Sequence, residues 1–223
     1  MALMQSIRLV LAPPHPAGRP FLIAGGVLIV LGLLLAGWLA WLAVIFTLFC
    51  LYFFRDPERV PPGRPDALLA PADGHVVGVA PASPPAELGL GPAPRWRVSI
   101  FLSVLDVHVN RVPVDGTITR IAYRHGRFLS ANLDKAAEEN ERNALAIRLH
   151  GGQEIAVVQI AGLVARRIVC TVREGDAVSA GSRFGIIRFG SRTDLYLPEG
   201  VQPLVAEGQT MIGGETVVAV LPA

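Results

Sequence analysis

ALAIRLHGGQEIAVVQIAGLVARRIVCTVREGDAVSAGSRFGIIRF, residues 144–189, is a succession of short apolar runs rich in valine and isoleucine and cut by glycine, aspartate and serine. Ala144 to Leu149, Glu154 to Ile160, Arg167 to Val172 and Phe184 to Phe189 are six or seven residues each, too short for packed helices and suited to strands. Similar runs lie outside this stretch at His75 to Ala80, Trp96 to Leu102, Gly116 to Tyr123 and Val217 to Leu221. Strands spaced this closely leave no room for the crossover helices of βαβ units. Residues 66–223 are therefore expected to form a mainly β head, compact and barrel- or sandwich-like. Leu133 to Glu141, LDKAAEENE, is the one helical candidate, with good helix formers and few β-branched residues.

Two segments share a turn-strand-turn punctuation. Arg173 to Gly181 has Gly175 and Gly181 six apart, and Ala206 to Gly214 has Gly208 and Gly214 six apart. The pattern resembles lipoyl and biotinyl carrier domains, whose glycines permit tight reversals. Such carriers need a lysine at a hairpin tip. The one lysine here is Lys135, in the helical candidate, so a carrier-like topology is expected without the carrier function.

The N-terminal part has a different texture. Phe21 to Phe54 is thirty-four residues without a charge, which reads as a membrane anchor. As one helix it would reach about 51 Å, against a hydrocarbon core of about 30 Å. Folded back near Ala36-Gly37-Trp38 it would give two helices of about 16 residues, short spans that a thinned bilayer accommodates. Arg8 and Arg19 precede the run and Arg55, Arg59 and Arg64 follow it. A hairpin puts both positive flanks in the cytoplasm, whereas a single span puts one outside. A cleaved signal peptide fits poorly, since its apolar region is about 7 to 15 residues. The expected organisation is a cytoplasmic segment 1–20, an anchor 21–54, a proline-rich linker 55–65 and a head 66–223 on the cytoplasmic side of the cell membrane.

Composition narrows the function. Twenty basic against eighteen acidic residues give a net charge of +2, and no basic run suggests a nucleic-acid partner. Arg166, Arg167, Arg55 and Arg59 are candidates for contact with an anionic lipid surface. Cys50 lies in the apolar run and Cys170 in a strand-like run, so neither a disulfide framework nor a thiolate metal site is expected. The five histidines, at 15, 75, 108, 125 and 150, form no ligand cluster in sequence, and no metal is expected.

The chemistry is most legible at Arg188-Phe189-Gly190-Ser191-Arg192-Thr193-Asp194-Leu195-Tyr196. A Gly-Ser pair at a strand end is first of all a turn. It also leaves the Gly190 carbonyl unshielded by a Cβ, where a strained turn would bring the Ser191 hydroxyl within reach. With a base to take the hydroxyl proton, an N-to-O acyl shift gives an ester, and β-elimination and hydrolysis leave a pyruvoyl group at a new N-terminus.

Phe189-Gly190-Ser191 joins four further blocks in order: FRDPER (54–59), PADG (71–74), DVHVNR (106–111) and NERN (140–143). Together they resemble the phosphatidylserine decarboxylase family, and most of all its short bacterial and archaeal branch with an N-terminal anchor. The resemblance implies self-cleavage between Gly190 and Ser191. The products would be a β chain of residues 1–190 and an α chain of residues 191–223 that carries the pyruvoyl cofactor and stays bound to its partner. It also implies a homodimer, and decarboxylation of phosphatidylserine in the membrane to phosphatidylethanolamine and CO2 through a Schiff base on the pyruvoyl group.

Carried onto this chain, Ser191 is the pyruvoyl precursor, and Asp73 and His108 are the charge-bearing partners of maturation. An imidazole can take the Ser191 proton near neutral pH, and a carboxylate can fix its tautomer. His108 is also the first candidate for reprotonating the substrate carbon. Longer-chain branches carry a second histidine three positions on, where this chain has Arg111, so the division of labour stays open, with His75 a weaker stand-in. Arg111 and Arg192 are candidate donors to the lipid phosphate. Phe128 to Leu133 reads as an apolar loop toward the bilayer or a core anchor, and Asn140 to Asn143 as a brace or a helix exit. Two other classes are a membrane-anchored serine hydrolase, which lacks its Gly-x-Ser-x-Gly elbow here, and a non-catalytic membrane tether.

Overall fold

The computed structural model describes residues 12–126, 140–162, 167–188 and 191–222, and its contacts divide the chain into two compact units, Met1–Glu58 and Arg59–Ala223. In the first, α1 (Arg19–Leu35) and α2 (Gly37–Phe53) are apolar helices of 17 residues each. They are joined at Ala36, whose extended backbone (φ −163°, ψ 128°) interrupts the helix where the turn is expected. Gly18, Gly25 and Gly32 of the first helical arm face Phe54, Thr47 and Ala40, which makes the pair antiparallel. A Cβ on Gly25 would overlap Thr47 Oγ1, and one on Gly32 would overlap the Ala40 backbone. Small residues at these points let two apolar helices approach closely where dispersion, not water, must hold them.

Polar groups of this unit gather at the open end of the hairpin. The His15 N–H donates to Phe54 O at 2.7 Å, the Asp56 N–H donates to Pro13 O at 2.9 Å, and the Arg55 guanidinium lies 4.0 Å from the Tyr52 ring centroid. The closed end is apolar and exposed at Leu33, Leu34, Leu35, Trp38 and Trp41. Pro16–Leu35 is long and apolar enough to cross a membrane, and Gly37–Phe53 is a shorter apolar helix.

The second unit is built from β1 (Ala67–Leu69), β2 (Gly74–Ala82), β3 (Arg95–Leu102), β4 (Val109–Arg111), β5 (Gly116–Arg124), β6 (Arg142–Arg148) and β7 (Glu154–Ala161), followed by β8 (Ile168–Cys170), β9 (Ala177–Val178), β10 (Arg183–Ile187), β11 (Ser191–Tyr196), β12 (Thr210–Met211) and β13 (Val217–Val220). Eight strands form one sheet in the order β12-β2-β3-β11-β7-β6-β5-β9, and β4-β10-β8 and β1-β13 form smaller ones. Register shifts at Val76/Gly78 and Ile118/Arg120 bend the large sheet, so that it curls like part of a barrel. On its inner face Val98, Ile100, Leu102, Leu145, Val157 and Leu195 enter the main core. Ala144, Ala156, Val158, Ile160 and Tyr196 make a second cluster on the other face with Leu88 and Leu90.

All eight expected strands are present with shifted ends, and the two turn units contain β9 and β12 between positive-φ glycines. Three strands escape the sequence reading: β1, β4 and β11. Ser-Arg-Thr-Asp-Leu-Tyr lacks apolar alternation because polar partners, not aliphatic ones, meet its buried side chains. Residues 133–139 of the helical candidate and Phe128 to Leu133 lie outside the described residues. Asn140 and Glu141 are not helical and lead into β6. The proline-rich linker is tied to the head beyond Glu58: the Val60 N–H donates to Glu215 Oε1 at 3.0 Å, and Pro61 packs against Gly181.

Candidate functional site

One end of the large sheet gathers the residues that carry chemistry. Ser191 pairs with Leu102 on β3 and with Ala161 on β7, so β11 begins where its two neighbours end. Gly74 of β2 and Met211 of β12 reach the same end. Gly74 has φ +141°, and a Cβ there would strike the Phe101 carbonyl oxygen. Glycine is thus required for β2 to start this close to β3, with Asp73 just before it.

Ser191 is fully buried, and its hydroxyl has no hydrogen-bond partner among the described residues. Leaving a buried hydroxyl unsatisfied costs about 1–3 kcal/mol, and in native proteins such a group asks for an explanation. Gly190 lies outside the described residues.

A buried polar ladder crosses the same face. Asn143 Nδ2 donates to Gln159 Oε1 at 2.9 Å, Gln159 Nε2 to Asn110 Oδ1 at 2.7 Å, and Asn110 Nδ2 to Thr193 Oγ1 at 3.4 Å. Thr193 is two residues after Ser191 on the same side of β11, and Asn110 is two residues after His108. The Ile187 N–H donates to the His108 carbonyl at 3.3 Å, and Ile187 packs with Ala161, the cross-strand neighbour of Ser191. His108, two residues before Asn110, is buried, as is Ser191, two residues before Thr193. His108 Nδ1 lies 3.0 Å from the Asp106 carbonyl. In the tautomer that donates this bond, the basic lone pair sits on Nε2.

Asp73 reaches the site by a second register. The Leu69 N–H donates to Pro113 O and the Arg111 N–H to Pro71 O, both at 2.8 Å, which brings the PADG segment alongside the strand that follows His108. Its carboxylate accepts from Arg59 Nη2 at 2.6 Å and from the Gly213 N–H at 2.8 Å. Arg59 is thus a buried partner of Asp73 rather than a contact for a lipid surface, and it is the site residue that sequence reasoning missed. Its place in FRDPER was the available signal. His75 is exposed on β2, opposite Thr210.

The two arginines expected at the phosphate both have protein partners. Arg111 is buried on the side of β4 away from Asn110, and its Nη1 donates to Gly181 O at 2.7 Å. Arg192 points to the opposite face of the sheet from Ser191, where Nε and Nη2 grip the two oxygens of Asp194 at 2.6 and 2.8 Å. Both side chains are almost fully buried, so removing either partner would strand a charge at about 3–5 kcal/mol. Burial, and then the Asp194 charge, raise the pKa of the neighbouring Tyr196. NERN acts as a brace: Asn140 Nδ2 donates to the Ala161 carbonyl at 2.8 Å, Arg142 pairs with Glu87, and Asn143 starts the ladder.

A family model described as phosphatidylserine decarboxylase matches residues 46–219. The phosphatidylserine decarboxylase proenzyme of Granulibacter bethesdensis is 73% identical over 219 residues, covering 98% of this chain and 90% of that protein. The proteins of the same name from Gluconacetobacter diazotrophicus and Gluconobacter oxydans are 62% and 60% identical, covering 98% and 99% of this chain and 99% and 100% of their own lengths.

Proposed function

Since the chain belongs to the phosphatidylserine decarboxylase family, we propose that it is made as a proenzyme, cuts itself before Ser191 and converts phosphatidylserine in the membrane to phosphatidylethanolamine and CO2. The observation that carries this reading is the fully buried Ser191 hydroxyl, which has no hydrogen-bond partner among the described residues. His108 takes the hydroxyl proton, and the oxygen attacks the Gly190 carbonyl, so that the Gly190–Ser191 amide becomes an ester. Elimination across the Cα–Cβ bond of residue 191 releases Gly190 as a carboxylate. Water then enters and ammonia leaves, giving a pyruvoyl N-terminus on residues 191–223. The site fits that group, since its precursor hydroxyl has no hydrogen-bond partner among the described residues and β11 is held by β3 and β7.

The pyruvoyl carbonyl supplies an electron sink that no side chain provides, which lets a substrate amine release the neighbouring carboxylate as CO2. The protein's own residues do the rest. Asp73, held by Arg59 and Gly213, supports the His108 segment, and His108 returns a proton to the substrate carbon. Intact-mass spectrometry of the purified protein tests the reading. Two chains are expected, split between residues 190 and 191, the smaller with a blocked N-terminus, and an unbroken chain in an active preparation would overturn it.

The helical hairpin is proposed as the membrane anchor, with both ends and the head on the cytoplasmic side. Its charged groups lie at the open end and its closed end is apolar, as a membrane-inserted hairpin requires. Reporters fused at the two termini are expected on the same side, and opposite sides would mean a single crossing. The paired β and α chains and a homodimer complete the proposal.

A further inference from the structure

We infer that Gln159 is a positioning residue for the proton transfers assigned to His108, an inference that rests on the decarboxylase reading above. Gln159 stands in the middle of one row across the large sheet. It pairs with Thr193 on β11 and with Asn143 on β6, and Thr193 pairs in turn with Ile100 on β3. The next row toward the site end is Leu102, Ser191 and Ala161, and the next row the other way is Val98, Leu195, Val157 and Leu145. That deeper row is aliphatic and belongs to the main core, so the sheet itself does not call for an amide at this place.

The amide is used to reach a second sheet. Gln159 Nε2 donates to Asn110 Oδ1 at 2.7 Å while its Oε1 accepts from Asn143 Nδ2 at 2.9 Å, and Asn110 Nδ2 donates to Thr193 Oγ1 at 3.4 Å. All four side chains are buried. Asn110 lies on β4, in the β4-β10-β8 sheet, whereas the other three lie in the large one. Gly185, the partner of Asn110 on β10, leaves the room for this crossing: a Cβ there would stand 2.9 Å from Gln159 Nε2 and would overlap the Val169 carbonyl oxygen.

Apolar packing between sheets is non-directional and tolerates a small slide. A buried hydrogen-bond network does not, because a slide strands its donors and acceptors where water cannot replace them. β4 opens at Val109, next to His108, and β11 opens at Ser191. Gln159 thus holds the strand that follows His108 to the strand that begins at Ser191. Misplacing a reacting group by about 1 Å costs about 100-fold in rate, so a slide of that size is enough to matter.

The test is the rate of self-cleavage of newly made full-length protein, followed by intact mass, in a two-by-two set of Gln159→Met and His108→Ala. Methionine keeps the length of glutamine and removes both bonds. Gln159→Met is expected to slow cleavage at least tenfold in the parent and less than twofold in the His108→Ala host, since a residue that acts through His108 has nothing left to position there. Equal slowing in both hosts would assign Gln159 to the fold alone, and cleavage at the parental rate would give it no role; either overturns the inference. In the chains that do process, kcat per processed chain should fall at least threefold with KM changed less than twofold. A raised KM with unchanged kcat would place Gln159 in substrate binding and would also overturn it. If Gln159→Met does not accumulate as folded protein, Thr193→Val decides in the same two hosts: slowing of at least threefold is expected in the parent and none in the His108→Ala host, with Thr193→Ser recovering most of the loss, and any other pattern counts against the inference. The reading beneath is judged separately, by the wild-type chain and the single His108 variant. An active wild-type chain that stays unbroken, or a His108→Ala protein that cleaves and turns over normally, brings down that reading, whereas equal slowing in both hosts brings down the positioning role alone.

Discussion

Ser191→Ala is expected to yield one unbroken chain that releases no CO2, and to be no less stable than the unprocessed parent. The two halves of this result have different causes. Without the hydroxyl there is no nucleophile for the Gly190 carbonyl, so no ester forms, no carboxylate can be eliminated and no pyruvoyl group arises, and activity falls to the detection limit. Stability is unharmed because the hydroxyl is buried with no partner among the described residues, and removing it relieves an unsatisfied polar group that costs about 1–3 kcal/mol. Thermal unfolding of the unprocessed variant, beside mass spectrometry and CO2 release, checks both halves. A clear drop in stability would mean that the hydroxyl makes a structural bond, and cleavage at the usual place would move the nucleophile elsewhere.

His108→Ala has the second-largest expected effect. A positioned general base contributes about 100- to 10,000-fold, so cleavage should slow by that order and the protein should accumulate as proenzyme. Asp73→Asn and Arg59→Gln should each slow cleavage by a smaller and similar factor, because the two side chains meet at 2.6 Å in a largely buried pair. Time-resolved mass analysis of newly made protein separates these effects. Normal processing with lost turnover in the His108 variant would confine this residue to reprotonating the substrate carbon. An Arg59 variant that matures at the wild-type rate would show that the ion pair supports folding alone.

The sequence by itself determined the elements whose information is local. The apolar run between Arg19 and Arg55 is legible because any chain with so many uncharged residues must hide them, and the turn falls at Ala36, where it was expected. The eight aliphatic strands are legible because alternating or continuous valine and isoleucine match a sheet buried on one or both faces. Ser191, His108 and Asp73 are the candidates that the ordered motifs offer, each motif weak alone. β11 is not legible: Ser191, Arg192, Thr193 and Asp194 look like a turn, and they form a central strand in which the distant Asn110 meets Thr193 and Arg192 and Asp194 satisfy each other.

Tertiary structure alone decided what each polar side chain does. Arg59, Arg111 and Arg192 are chemically alike in the sequence, yet one pairs with Asp73, one with the Gly181 carbonyl and one with Asp194. Arginine's long stem and five donors let it serve any acceptor within reach, so its role follows from which acceptor the fold brings near. The same holds for the contact between the segment after His108 and the strand that begins at Ser191. It depends on strand pairings between residues at least thirty positions apart, set by the registers of β4 on β10 and of β11 on β3 and β7. Local propensity carries no trace of a register, because a register is chosen by the whole set of side chains that must be buried together.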